Sequence, residues 1–125
     1  MNKKDNKFST KAVRAGTIRS QEQEHSEAMY LTSSFVFHSA REASERVANP
    51  DSGNVYSRFT NPSVKMFEER LAALENAEKC VATSTGMSAI LSCFMALCSK
   101  GDHVVVSKSI FGTTVPLFNN ILKRW

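Results

Sequence analysis

From Pro62 to the end of the chain, the apolar residues change period each time a turn residue intervenes, and this alternation limits the possible folds more than any other feature. Pro62, following Thr60-Asn61, marks a helix start, because its fixed φ suits a first helical position where no N–H is needed. Val64, Phe67, Leu71 and Leu74 follow at intervals of three and four, giving one apolar stripe of a helix that runs to about Asn76. Residues 79–83 read as a short strand, broken by Ser84-Thr85-Gly86. Met87, Ile90, Leu91, Phe94 and Leu97 mark a second amphipathic helix, closed by Lys100-Gly101. Asp102 turns the chain into an apolar strand over residues 103–107. After Phe111-Gly112, the side chains of Val115, Phe118, Leu122 and Trp125 line a third helix, with Pro116 tolerated in its first turn. Helix, strand, helix, strand, helix is the rhythm of an α/β layer on a mainly parallel sheet, and the continuous Val104-Val105-Val106 suits a strand buried on both faces. Two strands do not make a stable sheet, so the sequence reads as the first part of an α/β domain, cut before its sheet is complete.

Residues 1–61 have a different texture, polar and irregular, interrupted by Gly16, Pro50 and Gly53 and ending at Asn61-Pro62. One helix is expected there, Ala40–Ala48, with Ser39 as its N-cap, Glu42 in its first turn and Asn49-Pro50 ending it. The remainder lacks the periodic apolar positions needed to bury itself. We therefore expect residues 1–61 to form an arm that packs on a partner subunit, and 62–125 to begin a separate domain.

Composition narrows the class. With 42% apolar and 22% charged residues the chain has the balance of a globular protein. No apolar run approaches the roughly 18 residues of a membrane span. The basic N-terminus is not followed by the apolar core of a secretory signal, so a cytoplasmic location is expected. A net charge of +4, without a basic stripe interleaved with aromatics, argues against nucleic-acid binding. Cys80, Cys93 and Cys98 lack CxxC spacing and sit among apolar residues, where buried reduced thiols are expected. With His25, His38 and His103 isolated, no metal site is expected.

Three segments carry candidate chemistry. At Ser84-Thr85-Gly86-Met87 a helix begins, and its exposed backbone N–H groups, aided by the helix dipole and the Ser84 and Thr85 hydroxyls, can hold a phosphate. A single glycine makes this neither a Walker A loop nor a GxGxxG turn, and taken alone a plain capped turn is the better reading. Tyr56 and Arg58 are two residues apart, which in an extended segment places both on one side as a clamp for phosphate or carboxylate. A surface arginine beside a packing tyrosine accounts for them equally well. Phe111, next to Gly112, offers a ring face for stacking on a flat heterocycle, although core packing is the ordinary role of a lone phenylalanine.

In order along the chain, these segments resemble the cystathionine γ-synthase family of pyridoxal-phosphate enzymes. The resemblance rests on Thr10–Gly16, His25-Ser26-Glu27-Ala28, Leu31–Phe35, the Tyr-Ser-Arg-x-x-Asn-Pro run at 56–62, the Ser-Thr-Gly-Met turn at 84–87 and Gly101–Val105. It implies pyridoxal-phosphate fold type I, with this chain the first part of the large domain. It implies that the Gly86 and Met87 amides bind the cofactor phosphate, that Tyr56 and Arg58 reach across a dimer interface to the neighbouring subunit's phosphate, and that Phe111 stacks on the pyridine ring. Many members have tyrosine at that last position. Phe-Gly-Thr-Thr at 111–114, with Arg14–Thr17 and Glu24–Glu27, is most similar to the branch that makes homocysteine from O-succinylhomoserine and sulfide, a transferase reaction of methionine biosynthesis.

The resemblance further implies a homotetramer, a dimer of dimers with active sites shared between subunits. The cofactor would serve as an electron sink for carbanions formed on an amino-acid substrate. The Schiff-base lysine and the aspartate that pairs with the pyridine nitrogen are expected beyond Trp125, so no catalytic residue is assigned within this chain, and the chain alone is expected to be inactive. The alternatives are a lyase of the same family, acting on methionine or cystathionine, and a non-enzymatic anion-binding module built on the Gly86 helix start.

Overall fold

The computed structural model describes residues 6–124. Two compact units result, one extending to Ala82 and the other beginning at Thr83.

In the first unit, α1 (Phe8–Arg14) packs on α3 (Pro62–Glu75). Helix α2 (Ala40–Ala48) lies between them in sequence and continues into a 3-10 turn, Pro50–Ser52. The caps explain the ends. Ser39 accepts from the Glu42 N–H at 3.1 Å, satisfying one of the donors that a helix start leaves unpaired. Asn61 does the same for Ser63 at 2.9 Å, with Pro62 at the first helical position. Asn76 ends α3 in the left-handed region, with φ 52°.

The expected apolar stripe of α3 is not its buried face. Met66 and Ala72 are buried, whereas Val64 and Phe67 are exposed. The residues packed against the helix select the face. Gly16, at φ +74°, runs so close that a Cβ there would lie 2.6 Å from the Met66 carbonyl oxygen. Arg70 donates to the Ala15 carbonyl at 2.9 Å and pairs with Glu27. Tyr30 N–H donates to the Ser63 hydroxyl at 2.9 Å. The segment before α3 therefore includes a helix that its sequence does not announce, and it leans on α3 of its own chain. The change in sequence texture falls at 61/62, and the break between compact units falls after Ala82.

The Arg70 guanidinium holds the Glu27 carboxyl below its ordinary 4.5, chiefly through their hydrogen bond. A carboxylate with a lowered folded pKa stabilises fully above the unfolded value and loses that contribution as pH falls below it. Lowering the pH from about 5 to about 3 should therefore loosen residues 15–27 from α3. The check is amide exchange of α1, which should accelerate in that window in the native protein and respond less in Glu27→Gln.

The second unit contains α4 (Gly86–Leu97) and a helical C-terminal segment, α5 (Thr114–Pro116), which widens to a π-helix at Leu117–Ile121 and tightens to a 3-10 turn at Leu122–Arg124. Phe94 of α4 meets Phe118 edge-on, with ring centroids 4.7 Å apart. The third helix expected from the sequence is thus present as three helical forms in succession. Its buried positions are Thr114 and Leu117, with Val115 exposed, and Trp125 lies outside the described residues.

Neither expected strand pairs. Among the described residues the only β pairing is an isolated antiparallel bridge between Ser34 and Tyr56. Residues 79–83 and 103–107 have no ladder partner, and Val81 and Val105 are 80% and 91% exposed where a buried sheet was expected. A parallel ladder requires a neighbouring strand on which each N–H finds a carbonyl. Here the Ala82 N–H donates instead to the Glu68 carboxylate at 2.7 Å. The cysteines are free thiols but not buried: Cys93 is exposed, and Cys80 and Cys98 are half-buried.

Candidate anion and cofactor site

Helix α4 starts as a helix must to leave donors free. Thr85 is extended at φ −150°, ψ 156°, and its hydroxyl oxygen accepts from the Ser88 N–H at 3.0 Å. The Ser88 hydroxyl lies 3.1 Å from the Thr85 N–H and closes a reciprocal capping box. That leaves the N–H groups of Gly86 and Met87, the first two helical positions, without intrahelical partners. A Cβ on Gly86 would meet nothing within 4 Å, and Gly86 itself is exposed. The Thr85 hydroxyl, expected as a further ligand donor, is committed to the cap.

Phe111 is 68% exposed on the turn that leads into α5, where its carbonyl accepts from the Thr114 N–H at 2.9 Å. The Thr113 hydroxyl reaches the Met87 sulfur at 3.5 Å, and the fully buried Thr114 lies 4.0 Å from the same sulfur. These contacts tie the Phe111 turn to the first turn of α4. Gly86, Met87 and Phe111 are thus brought into one locality.

Tyr56 and Arg58 belong to the first unit and are brought together differently from the extended arrangement expected. The Tyr56 carbonyl accepts from both the Phe59 and Thr60 N–H groups, at 2.8 and 2.9 Å, closing a tight turn. The Arg58 guanidinium lies over the Tyr56 ring at 5.3 Å and over the Phe59 ring at 5.2 Å. It has no hydrogen-bond or ion-pair partner among the described residues, and it is exposed. A guanidinium that rests against aromatic rings and makes no hydrogen bond among the described residues keeps its N–H donors for an oxyanion. Phe59 was not legible as a participant, since nothing in its spacing distinguishes it from a packing residue.

Within the second unit, a helix start with two unengaged amides and an exposed aromatic ring in the same locality have the chemistry to hold an aromatic phosphate ester. Residues 9–125 match the family described as Cys/Met metabolism PLP-dependent enzyme, and the chain belongs to that family. Over 118 residues it is 58% identical to the O-succinylhomoserine sulfhydrylase of Pseudomonas aeruginosa, covering 94% of this chain and 29% of that protein. It is 36% identical to the L-methionine gamma-lyase of Treponema denticola, with the same coverage. Among solved structures it is similar to a putative O-acetylhomoserine (thiol)-lyase from Campylobacter jejuni that carries an N'-pyridoxyl-lysine-5'-monophosphate. That match has a TM-score of 0.86 and 28% identity, and covers 96% of this chain and 30% of that one. The chain therefore spans about three-tenths of the length of these relatives. Its structural neighbours are pyridoxal-phosphate fold type I enzymes, and the chain corresponds to a part of that fold.

Proposed function

We propose that the full-length protein is a pyridoxal-phosphate-dependent transferase that makes homocysteine from O-succinylhomoserine and sulfide. The single observation that carries this reading is the 58% identity to an O-succinylhomoserine sulfhydrylase across nearly the whole chain, set against 36% to a methionine gamma-lyase. When bound, the cofactor supplies an electron sink for carbanions on the amino-acid substrate. This chain's residues hold and orient it. The Gly86 and Met87 amides take the phosphate oxygens, Phe111 stacks on the pyridine face, and Tyr56 and Arg58 close on the phosphate of a neighbouring subunit. That last role makes the arm, residues 1–61, part of a shared site in a cytoplasmic homotetramer, with 62–125 opening a large domain on a mainly parallel sheet.

The test is the product formed by the full-length enzyme. With O-succinylhomoserine and sulfide it should release succinate and homocysteine. Elimination to 2-oxobutyrate and ammonia as the main route, with sulfide present, would place it among the lyases.

Phe111 bears on that choice, because a phenyl ring can stack but cannot move a proton. Phe111→Ala should weaken cofactor binding by about two- to tenfold through lost ring contact. Phe111→Tyr should retain binding and shift the ratio of homocysteine to 2-oxobutyrate, since it places a phenol where a positioned acid can act. An unaltered ratio in the tyrosine variant would remove this residue from the specificity argument.

A further inference from the structure

Arg58 is held by more than its neighbouring rings. Asn61, only 8% exposed, makes three hydrogen bonds through its side-chain amide. Its Oδ1 accepts from the Ser63 N–H at 2.9 Å, capping α3. Its Nδ2 donates to the Tyr30 carbonyl at 3.1 Å and to the Ser57 hydroxyl at 3.0 Å. The amide has one workable orientation, because a carbonyl can only accept and a backbone N–H can only donate.

Ser57 is the residue between Tyr56 and Arg58. Its N–H donates to the Ser33 carbonyl at 2.8 Å, and its hydroxyl donates to the Thr32 carbonyl while accepting from Asn61. The centre of the turn is thereby fixed, and the side chains on either side of it are set by that anchor. Asn61 makes no hydrogen bond to Tyr56 or Arg58 among the described residues, and its bond to Ser57 is the link that reaches the turn between them.

We propose that Asn61 is a positioning residue for the Arg58 guanidinium, joining the anion-binding turn to the start of α3. This rests on the reading of Tyr56 and Arg58 as a phosphate clamp.

The two functions of the Asn61 amide can be separated chemically. Asn61→Asp keeps an N-cap as good as asparagine but cannot donate to Tyr30 or Ser57. Ser57→Ala breaks the same link from its other end, together with the hydroxyl's bond to the Thr32 carbonyl, and leaves the cap untouched. Titrating the full-length apoprotein with pyridoxal phosphate, followed by fluorescence, should show each variant binding about three- to tenfold more weakly, with α3 still folded. Neither change should weaken binding further in an Arg58→Ala background, because the group being positioned is gone. Unchanged affinity in Asn61→Asp and Ser57→Ala would overturn the inference. So would an equal loss with and without Arg58, which would mark general structural damage. If Arg58→Ala by itself leaves affinity unchanged, the clamp reading falls and this inference falls with it.

Discussion

Replacing Gly86 by proline should lower the affinity of the full-length protein for pyridoxal phosphate by about ten- to a hundredfold while leaving α4 folded. Proline is favoured at a first helical position, and the preceding Thr85 already has the extended backbone that a residue before proline requires. A Cβ added at Gly86 meets no neighbouring atom within 4 Å, so there is space for the start of a side chain. The substitution does remove one of the two unengaged amide donors and places a methylene where the phosphate would approach. Circular dichroism would show whether the helix persists, and a cofactor titration would show the loss. Unchanged affinity with an intact helix would mean that the α4 start does not hold the phosphate.

Arg58→Ala should weaken pyridoxal-phosphate binding by about one to two powers of ten, the worth of a charge-assisted contact of roughly 1.5–3 kcal/mol. The geometry supports an effect near that range. Among the described residues the guanidinium has no carboxylate partner, and it lies over the Tyr56 and Phe59 rings without a hydrogen bond. Truncation leaves no buried acid unpaired, so the loss should appear in binding rather than in stability. Retention of the cofactor on dialysis, compared between native and variant protein, would register the change. Equal retention would remove Arg58 from the site.

The parts of the fold that could be read from the sequence are those decided locally. Ser39 and Glu42 fix the start of α2, and Asn61-Pro62 and Asn76 bracket α3, because caps act within a few residues of the groups they satisfy. What was not legible depends on partners distant in the chain. Helix α1 has no side-chain cap and no buried residue. It is held near α3 by Gly16 and Arg70, about 50 positions apart, which no local period records. The stripe through Val64 and Phe67 has helical spacing, but periodicity cannot say which face meets a neighbour, and Met66 and Ala72 are buried instead. The strands were read from apolar content, which cannot supply the ladder partner that a strand needs.

The candidate site divides in the same way. The Ser/Thr-Gly turn before an apolar helix marks a start with exposed amides, but its residues alone favour a plain capped turn, and the proposed phosphate role of Gly86 and Met87 comes from the family resemblance. The spacing of Tyr56 and Arg58 suggested a clamp on one side of an extended strand. The backbone turns there, and cation–π stacking brings the two side chains together instead. The anchoring role of Asn61 depends on Tyr30 and Ser57, the first of which lies 31 residues away. Its position before Pro62 suggested only a cap.

If this chain supplies a site for the phosphate of pyridoxal phosphate, its residues must distinguish that ligand from pyridoxal, which lacks the phosphate. The full-length apoprotein and its Gly86→Pro and Arg58→Ala variants would be titrated with each. Both variants should lose affinity for pyridoxal phosphate and bind pyridoxal as the native protein does. Equal losses for the two ligands, or none for either, would mean that these residues do not hold the phosphate.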